Sequence, residues 1–218
     1  MKKVLLSGAS SGIGLAIKEL LGKSGFEVFS VGRKEADITC DFNDLKTLEE
    51  KTKKWLKEND VDVLINCAGV GLFEPHECVS LAQIQNLVNV NLTAPILLSN
   101  LCLRSLVKTK GHIINISSVE ATKHSKYSAL YTATKSGLRD FSLSLFEEVR
   151  KNGVKVTSIN PDMTKTPFFD DLKFEPSDEE GTFLEAETIA GAVFDVLHVK
   201  GVVTDYTIRP QKVGIKRK

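Results

Sequence analysis

A tyrosine and a lysine four residues apart, with a serine before them, are the most informative chemical group in the sequence. Tyr131 and Lys135 fall in a helical pattern, so their side chains share one face. Ser118 stands thirteen residues before Tyr131, at the end of a predicted strand. A neighbouring ammonium favours the phenolate and lowers the tyrosine pKa. We therefore predict that Tyr131 is a general acid/base, that Lys135 modulates it, and that Ser118 orients the substrate oxygen.

A glycine-rich turn near the start of the chain predicts a dinucleotide site. It follows a predicted strand, Lys3–Ser7, and precedes a helix, although its spacing G-x-x-x-G-x-G differs from the commoner G-x-G-x-x-G. Glycines allow a tight turn and let a pyrophosphate approach the amides at the helix N-terminus, where the helix dipole favours an anion. The residues expected to meet the pyrophosphate are Gly8, Ser10, Ser11, Gly12, Ile13 and Gly14.

The second predicted strand ends in Gly32 and Arg33. At this distance from the glycine turn, NAD-binding proteins usually place a carboxylate on the ribose hydroxyls. A guanidinium pairs instead with a 2′-phosphate, so Arg33 predicts a preference for NADP(H), with NAD(H) as the alternative. The competing interpretation is that Arg33 is an ordinary solvated loop residue.

Taken in order, these segments resemble the short-chain dehydrogenase/reductase family over about residues 3 to 205. The family places its catalytic serine where Ser118 stands, and it uses the lysine at position 135 to hold the nicotinamide ribose. The resemblance implies that Asp41 meets the adenine ring, where a helix-capping or loop acid is the other interpretation. Asn66-Cys67-Ala68-Gly69 resembles the family's N-N-A-G segment, so Asn66, Ala68 and Gly69 are expected to support the sheet and to lie along the cofactor.

Asn91 matches the fourth catalytic position of the family. Pro95 has no amide hydrogen for the carbonyl of residue 91, so the helix should kink there and release that carbonyl. The resemblance implies a water on that carbonyl, in a proton relay that reaches Lys135. The alternative is a proline-kinked packing helix with a structural asparagine.

The segment after the sixth predicted strand resembles the family's P-G segment, which packs on the nicotinamide. This implies that Pro161, Thr164 and Thr166 bind the cofactor, although Asp162 replaces the usual glycine and adds a negative charge. Residues 161–183 are predicted to form a long irregular loop of functional importance. Within it, residues 167–172 resemble the family's substrate lid, which implies a substrate loop whose paired phenylalanines cover an apolar substrate. The additional pocket candidates are Phe73, Glu120 and His124.

Apolar runs alternate with helical patterns along the whole chain, which predicts one α/β domain, residues 1–218, with a doubly wound, Rossmann-type parallel sheet. The predicted strands are 3–7, 27–31, 61–66, 112–117, 154–159 and 202–208, with a short strand or loop at 36–40. The predicted helices are 15–24, 43 or 44 to 59, 80–107, 129–151 and 186–198.

The composition is that of an ordinary soluble globular protein. The net charge of +1 gives no field that would attract nucleic acid or a membrane surface. The four cysteines form no C-x-x-C pair, and His76 with Cys78 lacks a second ligand pair, so no metal is expected. No signal peptide or membrane span of about 20 apolar residues is predicted, which points to the cytoplasm.

These observations predict an NADP(H)-preferring oxidoreductase that moves a hydride between the nicotinamide and a carbonyl or secondary alcohol. The alternative is a catalytically silent NAD(P)-binding regulator or scaffold on the same fold. The family often forms homodimers or homotetramers through its two long helices, here 80–107 and 129–151. Residues 206–218 lack a long extension, which would alter one tetramer contact. The sequence identifies neither the substrate nor the direction of transfer.

Overall fold

The computed structural model describes all residues, 1–218, and has a seven-stranded parallel sheet at its centre. In spatial order the sheet consists of β10 (Asp205–Ile208), β6 (Lys155–Pro161), β5 (His112–Ile116), β4 (Val63–Asn66), β1 (Lys3–Ser7), β2 (Glu27–Gly32) and β3 (Ile38–Thr39). The order reverses at β1, as it does in a doubly wound sheet, which confirms the predicted fold class.

Six helices cover the two faces of the sheet. They are α1 (Gly12–Lys23), α2 (Leu45–Leu56), α3 (Leu81–Val88), α4 (Ala94–Thr109), α5 (Ala129–Val149) and α6 (Ala186–His198). Four shorter strands lie outside the sheet: β7 (Thr164–Lys165) pairs with β9 (Leu184–Glu185), and β8 (Phe174–Pro176) pairs with β11 (Ile215–Arg217).

The core has two parts, one on each face of the sheet, because successive strand residues point to opposite faces. Leu5, Leu64 and Ile113 pack with α2, α4 and α5, whereas Val4 and Ile65 pack with α1 and α6. All five side chains are fully buried, each stabilising the fold by roughly 1.5–3 kcal/mol. The near-continuous apolar strands of the sequence are therefore explained by helices on both faces.

The long helical region around Pro95 is interrupted by a π-helical turn, Asn89–Thr93, that joins α3 to α4. The amide of Ala94 donates to the carbonyl of Asn89, five residues earlier. The α-helical bonding is interrupted at the position expected from Pro95, but the interruption is a wider π-helical turn within a continuous helix.

The same helical region, Leu81–Thr109, is long and apolar enough to cross a membrane by length and composition alone, a test that a core helix also passes. In this fold its apolar side chains serve the core: Leu98, Cys102 and Leu106 are buried against the sheet.

Candidate active site

A single cavity of about 1630 Å³ opens at the carboxyl ends of the sheet strands. This is the edge where open α/β sheets bind ligands, and the volume is above the common range for small-molecule pockets. The glycine turn lines one part of it, and Ser118, Tyr131 and Lys135 line another. One continuous cavity is therefore lined both by the predicted dinucleotide-binding turn and by the predicted catalytic residues.

The glycine turn is held to its neighbours by backbone contacts that leave no room for side chains. Gly8 has a φ of +74° and donates its amide to the Val31 carbonyl at 3.1 Å. A Cβ atom on Gly14 would lie 2.0 Å from the Gly8 carbonyl oxygen. The N-cap of α1, Ser11, makes no side-chain capping bond, and the first turn has no acidic residue. The amides at this helix end are therefore available to an anion.

Tyr131 and Lys135 project from α5 toward the end of β5. The Lys135 ammonium donates to the Ile116 carbonyl at 3.0 Å and lies 5.9 Å from the centroid of the Tyr131 ring. Ser117 turns away and donates its hydroxyl to the Lys135 carbonyl at 2.8 Å. Ser118 is the N-cap of a short 3₁₀ turn, Val119–Ala121, and faces the Tyr131 phenol. The structure therefore places the predicted Ser118 beside Tyr131, whereas the neighbouring Ser117 has a packing role.

Burial dominates the protonation of the tyrosine and the lysine. It raises the pKa of Tyr131 above its ordinary value, the Ser118 hydroxyl acts in the opposite direction, and the Glu120 carboxylate raises it further. Burial also lowers the pKa of Lys135 to about 8. The expected lowering of the tyrosine pKa is not seen in the protein alone, because removal from water penalises the phenolate. The phenol keeps its proton.

Asn91 lies behind the cavity wall rather than on it. It is fully buried in the π-helical turn, where its side chain bonds the backbone of Val70 twice: Oδ1 accepts from the amide and Nδ2 donates to the carbonyl, both at 2.9 Å. Its Oδ1 and the Lys135 Nζ flank Gly69, lying 3.5 and 3.4 Å from where a Cβ atom would stand. Asn91 thus fixes the loop after β4 beside the lysine.

Asn66 is also absent from the cavity wall. It is 1% exposed, and its Nδ2 donates to Asn115 Oδ1 at 2.8 Å. The two residues are neighbours in register on β4 and β5, and Asn115 donates in turn to Ser142 of α5. Asn66 therefore links the sheet to its helices, and its place corrects the expectation that it lies along the cofactor.

The other predicted cofactor residues all line the cavity. They are Gly8, Ser10, Ser11, Gly12, Ile13, Gly14, Arg33, Asp41, Ala68, Gly69, Tyr131, Lys135, Pro161, Thr164 and Thr166. Phe73 and Glu120 also line it, whereas His124 does not. Glu120 is buried and accepts a hydrogen bond from Ser125 at 2.7 Å.

The end of β2 presents positive charge to the cavity. Arg33 and Lys34 are exposed and line it, together with Glu35. The nearby carboxylate of Asp37 faces elsewhere and accepts from the amide and hydroxyl of Ser30 at 2.7 and 2.8 Å. The Asp37 carboxylate is thus engaged in a local turn.

Asp162, which replaces a glycine of the family pattern, causes no backbone strain because its φ is not positive. Its carboxylate is 8% exposed and accepts from Arg209 Nε at 2.9 Å, while Lys123 Nζ lies 3.8 Å away. The negative charge of Asp162 is therefore neutralised within the cavity wall by Arg209 and Lys123.

The contribution of the last residues to the site was not predicted. β11 runs antiparallel to β8, and the Lys218 ammonium donates to the Phe169 carbonyl at 2.6 Å. The cavity residues from this segment are Arg209, Pro210, Lys212, Val213, Ile215, Arg217 and Lys218. The only signal was the pair Val213 and Ile215, two apolar residues in a basic stretch.

Comparison with known proteins agrees with this geometry. Residues 2–176 match the family model described as short chain dehydrogenase. An uncharacterized oxidoreductase of Staphylococcus epidermidis is 33% identical, over 96% of this chain and 97% of that protein. Serine 3-dehydrogenase of Rhizobium radiobacter is 35% identical, over 76% of this chain and 73% of that protein.

Solved structures agree with the sequence comparisons. An alcohol dehydrogenase from the archaeon Thermococcus sibiricus, complexed with 5-hydroxy-NADP, superposes with a TM-score of 0.85 at 25% identity, covering 97% of each chain. With the family model matching most of the chain, and with relatives that are oxidoreductases over nearly its full length, the chain belongs to the short-chain dehydrogenase/reductase family and is an oxidoreductase.

Proposed function

We propose that this enzyme is an NADP(H)-preferring carbonyl reductase or alcohol dehydrogenase that uses Tyr131 as its general acid/base. The observation that carries the proposal is the convergence of Ser118, Tyr131 and Lys135 on the same cavity as the glycine turn. A carbonyl oxygen beside the phenol would lie within reach of both hydroxyl groups, which is the geometry that proton transfer requires.

The residues present fit a dinucleotide. The close packing of Gly8 and Gly14 leaves the N-terminus of α1 uncovered for a pyrophosphate. Arg33 and Lys34 offer a guanidinium and an ammonium to a 2′-phosphate, while Asp37 is engaged with Ser30. We assign the ribose to Lys135 and the carboxamide side to Pro161, Thr164 and Thr166. When bound, the nicotinamide supplies or accepts the hydride.

The chain's own residues then handle the proton. Because burial keeps the phenol of Tyr131 protonated, it is ready to donate to the substrate oxygen as negative charge develops there. Ser118 would donate a hydrogen bond to the same oxygen. Lys135, with a pKa of about 8, exchanges protons near neutral pH and can restore the proton that Tyr131 gives up.

The proton route behind the lysine is part of the same proposal. Asn91 holds the loop at Val70 beside the Lys135 ammonium. We assign its backbone carbonyl to hold a water that connects the ammonium to solvent. We further propose residues 161–183 as the substrate loop, and association into a homodimer or homotetramer.

The test is oxidation of NADPH in the presence of aldehydes, ketones and quinones. Wild type should turn over at least one of these compounds, and Tyr131→Phe should lose activity by a factor of about 10² or more. Tyr206→Phe is the matched control, because Tyr206 lies on β10 and does not line the cavity. If Tyr131→Phe keeps wild-type kcat, the phenol is not the acid. If NADPH binds with no turnover of any compound, the protein does not reduce carbonyls.

A further inference from the structure

The catalytic phenol faces a wall of three phenylalanines from separate parts of the chain. Phe73 follows β4, Phe168 lies in the 3₁₀ turn Pro167–Phe169, and Phe174 begins β8. The Tyr131 ring centroid lies 5.0 Å from that of Phe73 and 6.0 Å from that of Phe168, and Phe73 meets Phe174 edge to face at 5.0 Å. All three line the cavity and are only half-buried, so part of each ring is open to a ligand.

The wall has a defined position. Phe168 rests on Gly71, where a Cβ atom would lie 2.7 Å from the Phe168 Cζ. Behind it the buried Phe169 packs against Phe168 and Phe174, at centroid distances of 5.2 and 5.8 Å. Phe174 is paired in register with Arg217 of β11. Backbone pairing and a glycine contact thus hold these rings, and a ligand would meet a preformed surface.

The two buried carboxylates of the cavity wall are already neutralised. Glu120 accepts from Ser125 and lies 3.5 Å from Lys123, and Asp162 is paired with Arg209. Neither offers an uncompensated charge to an ammonium group on a substrate. Beside the phenol, the cavity wall offers the rings of Phe73 and Phe168.

We infer that the carbonyl substrate carries a flat aryl group next to its carbonyl carbon, as in an aryl aldehyde or aryl ketone; this rests on the proposed function. Aromatic rings prefer edge-to-face or offset contacts with other rings, beyond what the buried area alone provides. In the reaction the carbonyl carbon gains a hydride from NADPH and the oxygen gains the Tyr131 proton. The aryl carbinol and NADP⁺ form, and solvent returns the proton to the phenol.

The experiment compares benzaldehyde with cyclohexanecarbaldehyde, which is similar in size but saturated and not flat, and with propanal as a small aldehyde. Phe73→Leu and Phe174→Leu should each lower the benzaldehyde-to-cyclohexanecarbaldehyde ratio of kcat/KM by about 3- to 10-fold. Propanal has no ring to lose its contact, so its kcat/KM reports any general effect of each substitution on turnover, and the ratio of the two ring aldehydes isolates the aryl contact.

Phe146→Leu is the control, since Phe146 lies on α5, packs against Arg150 and does not line the cavity. NADPH binding, followed by fluorescence, should stay at the wild-type value in all three variants and so report intact folding. An unchanged ratio in both wall variants would overturn the aryl assignment while leaving the carbonyl reductase in place. Intact NADPH binding with no turnover of any aldehyde would overturn both.

Discussion

The selection of the cofactor at the end of β2 gives the sharpest prediction. Arg33 is exposed and forms no salt bridge in the structure, so it breaks no existing interaction when it pairs with a phosphate. A hydrogen bond to a charged group contributes about 1.5–3 kcal/mol, so Arg33→Ala should weaken NADPH binding by about 10- to 100-fold. NADH, which has no 2′-phosphate, should bind almost unchanged.

Adding a carboxylate at Gly32 should shift the nucleotide preference toward NADH. Gly32 has no positive φ, and a Cβ atom there would find only Ala36 Cβ, at 3.8 Å, so Gly32→Asp fits without strain. Its carboxylate would accept from the ribose hydroxyls and repel a 2′-phosphate. The double variant Gly32→Asp/Arg33→Ala should therefore prefer NADH.

Equilibrium titration of nucleotide fluorescence measures both dissociation constants without a substrate. Arg104→Ala is the matched control, because Arg104 is exposed on α4 and does not line the cavity. Equal dissociation constants for NADPH and NADH in wild type would refute the argument. So would an Arg33→Ala variant that weakens both nucleotides to the same extent.

Three further predictions concern stability, measured as the free energy of unfolding in denaturant. Burial lowers the pKa of Lys135 to about 8 in the folded state, so between pH 8 and 10.5 the unfolded chain binds more protons than the folded protein. Wild type should therefore gain stability relative to Lys135→Met as the pH rises through that window. Arg139 donates to both carboxylate oxygens of Asp205, and Asp205→Ala should lower the free energy of unfolding by about 1–3 kcal/mol because these bonds are lost. Asp140 is exposed and lies 3.5 Å from Arg139, so Asp140→Ala should lower it by less than about 0.5 kcal/mol. Asp162→Gly should cost about 1 kcal/mol, because the buried carboxylate and its two cationic partners are lost and no strain is relieved.

Each stability prediction has a definite failure. A pH-independent difference between wild type and Lys135→Met would mean that the ammonium is hydrated in the folded protein. Equal losses for Asp205→Ala and Asp140→Ala would mean that the bidentate contact between Arg139 and Asp205 does not stabilise the fold more than an exposed ion pair does. An Asp162→Gly protein that is more stable than wild type would mean that this position strains the backbone.

The sheet was predictable because its strands are apolar on both faces. The runs at β1, β2 and β5 come within one residue of their observed ends, since burial by helices on both sides leaves a continuous apolar signal. Predicted helix 186–198 coincides with α6. The strand predicted at 202–208 begins later, at Asp205, although the carbonyl of Thr204 already accepts from the Ser158 amide of β6.

The pairing of β11 with β8 could not be predicted from local pattern. Ile215, Lys216 and Arg217 are all exposed, so no period-two alternation marks them as a strand. What makes them a strand is the ladder to Phe174–Pro176, about forty residues earlier, and a contact of that separation leaves no trace in the local sequence.

Motif spacing predicted residues that line the cavity, but not the surroundings of their side chains. Ser118, Tyr131 and Lys135 line one cavity as expected, whereas the pKa of Tyr131 depends on how completely the fold removes it from water. Asn66 and Asn91 have polar side chains that could bind a ligand, yet both form hydrogen bonds within the protein, to Asn115 and to the backbone of Val70. A motif records the residue type, and only the fold decides which neighbour it meets.

The contact of Lys218 with the Phe169 carbonyl has a practical consequence for anyone who purifies this enzyme. An affinity tag or fusion partner joined to Lys218 would leave the protein beside the cavity, where it would compete with β11 for pairing with β8. Met1 is 91% exposed and does not line the cavity, so the opposite end is the safer point of attachment.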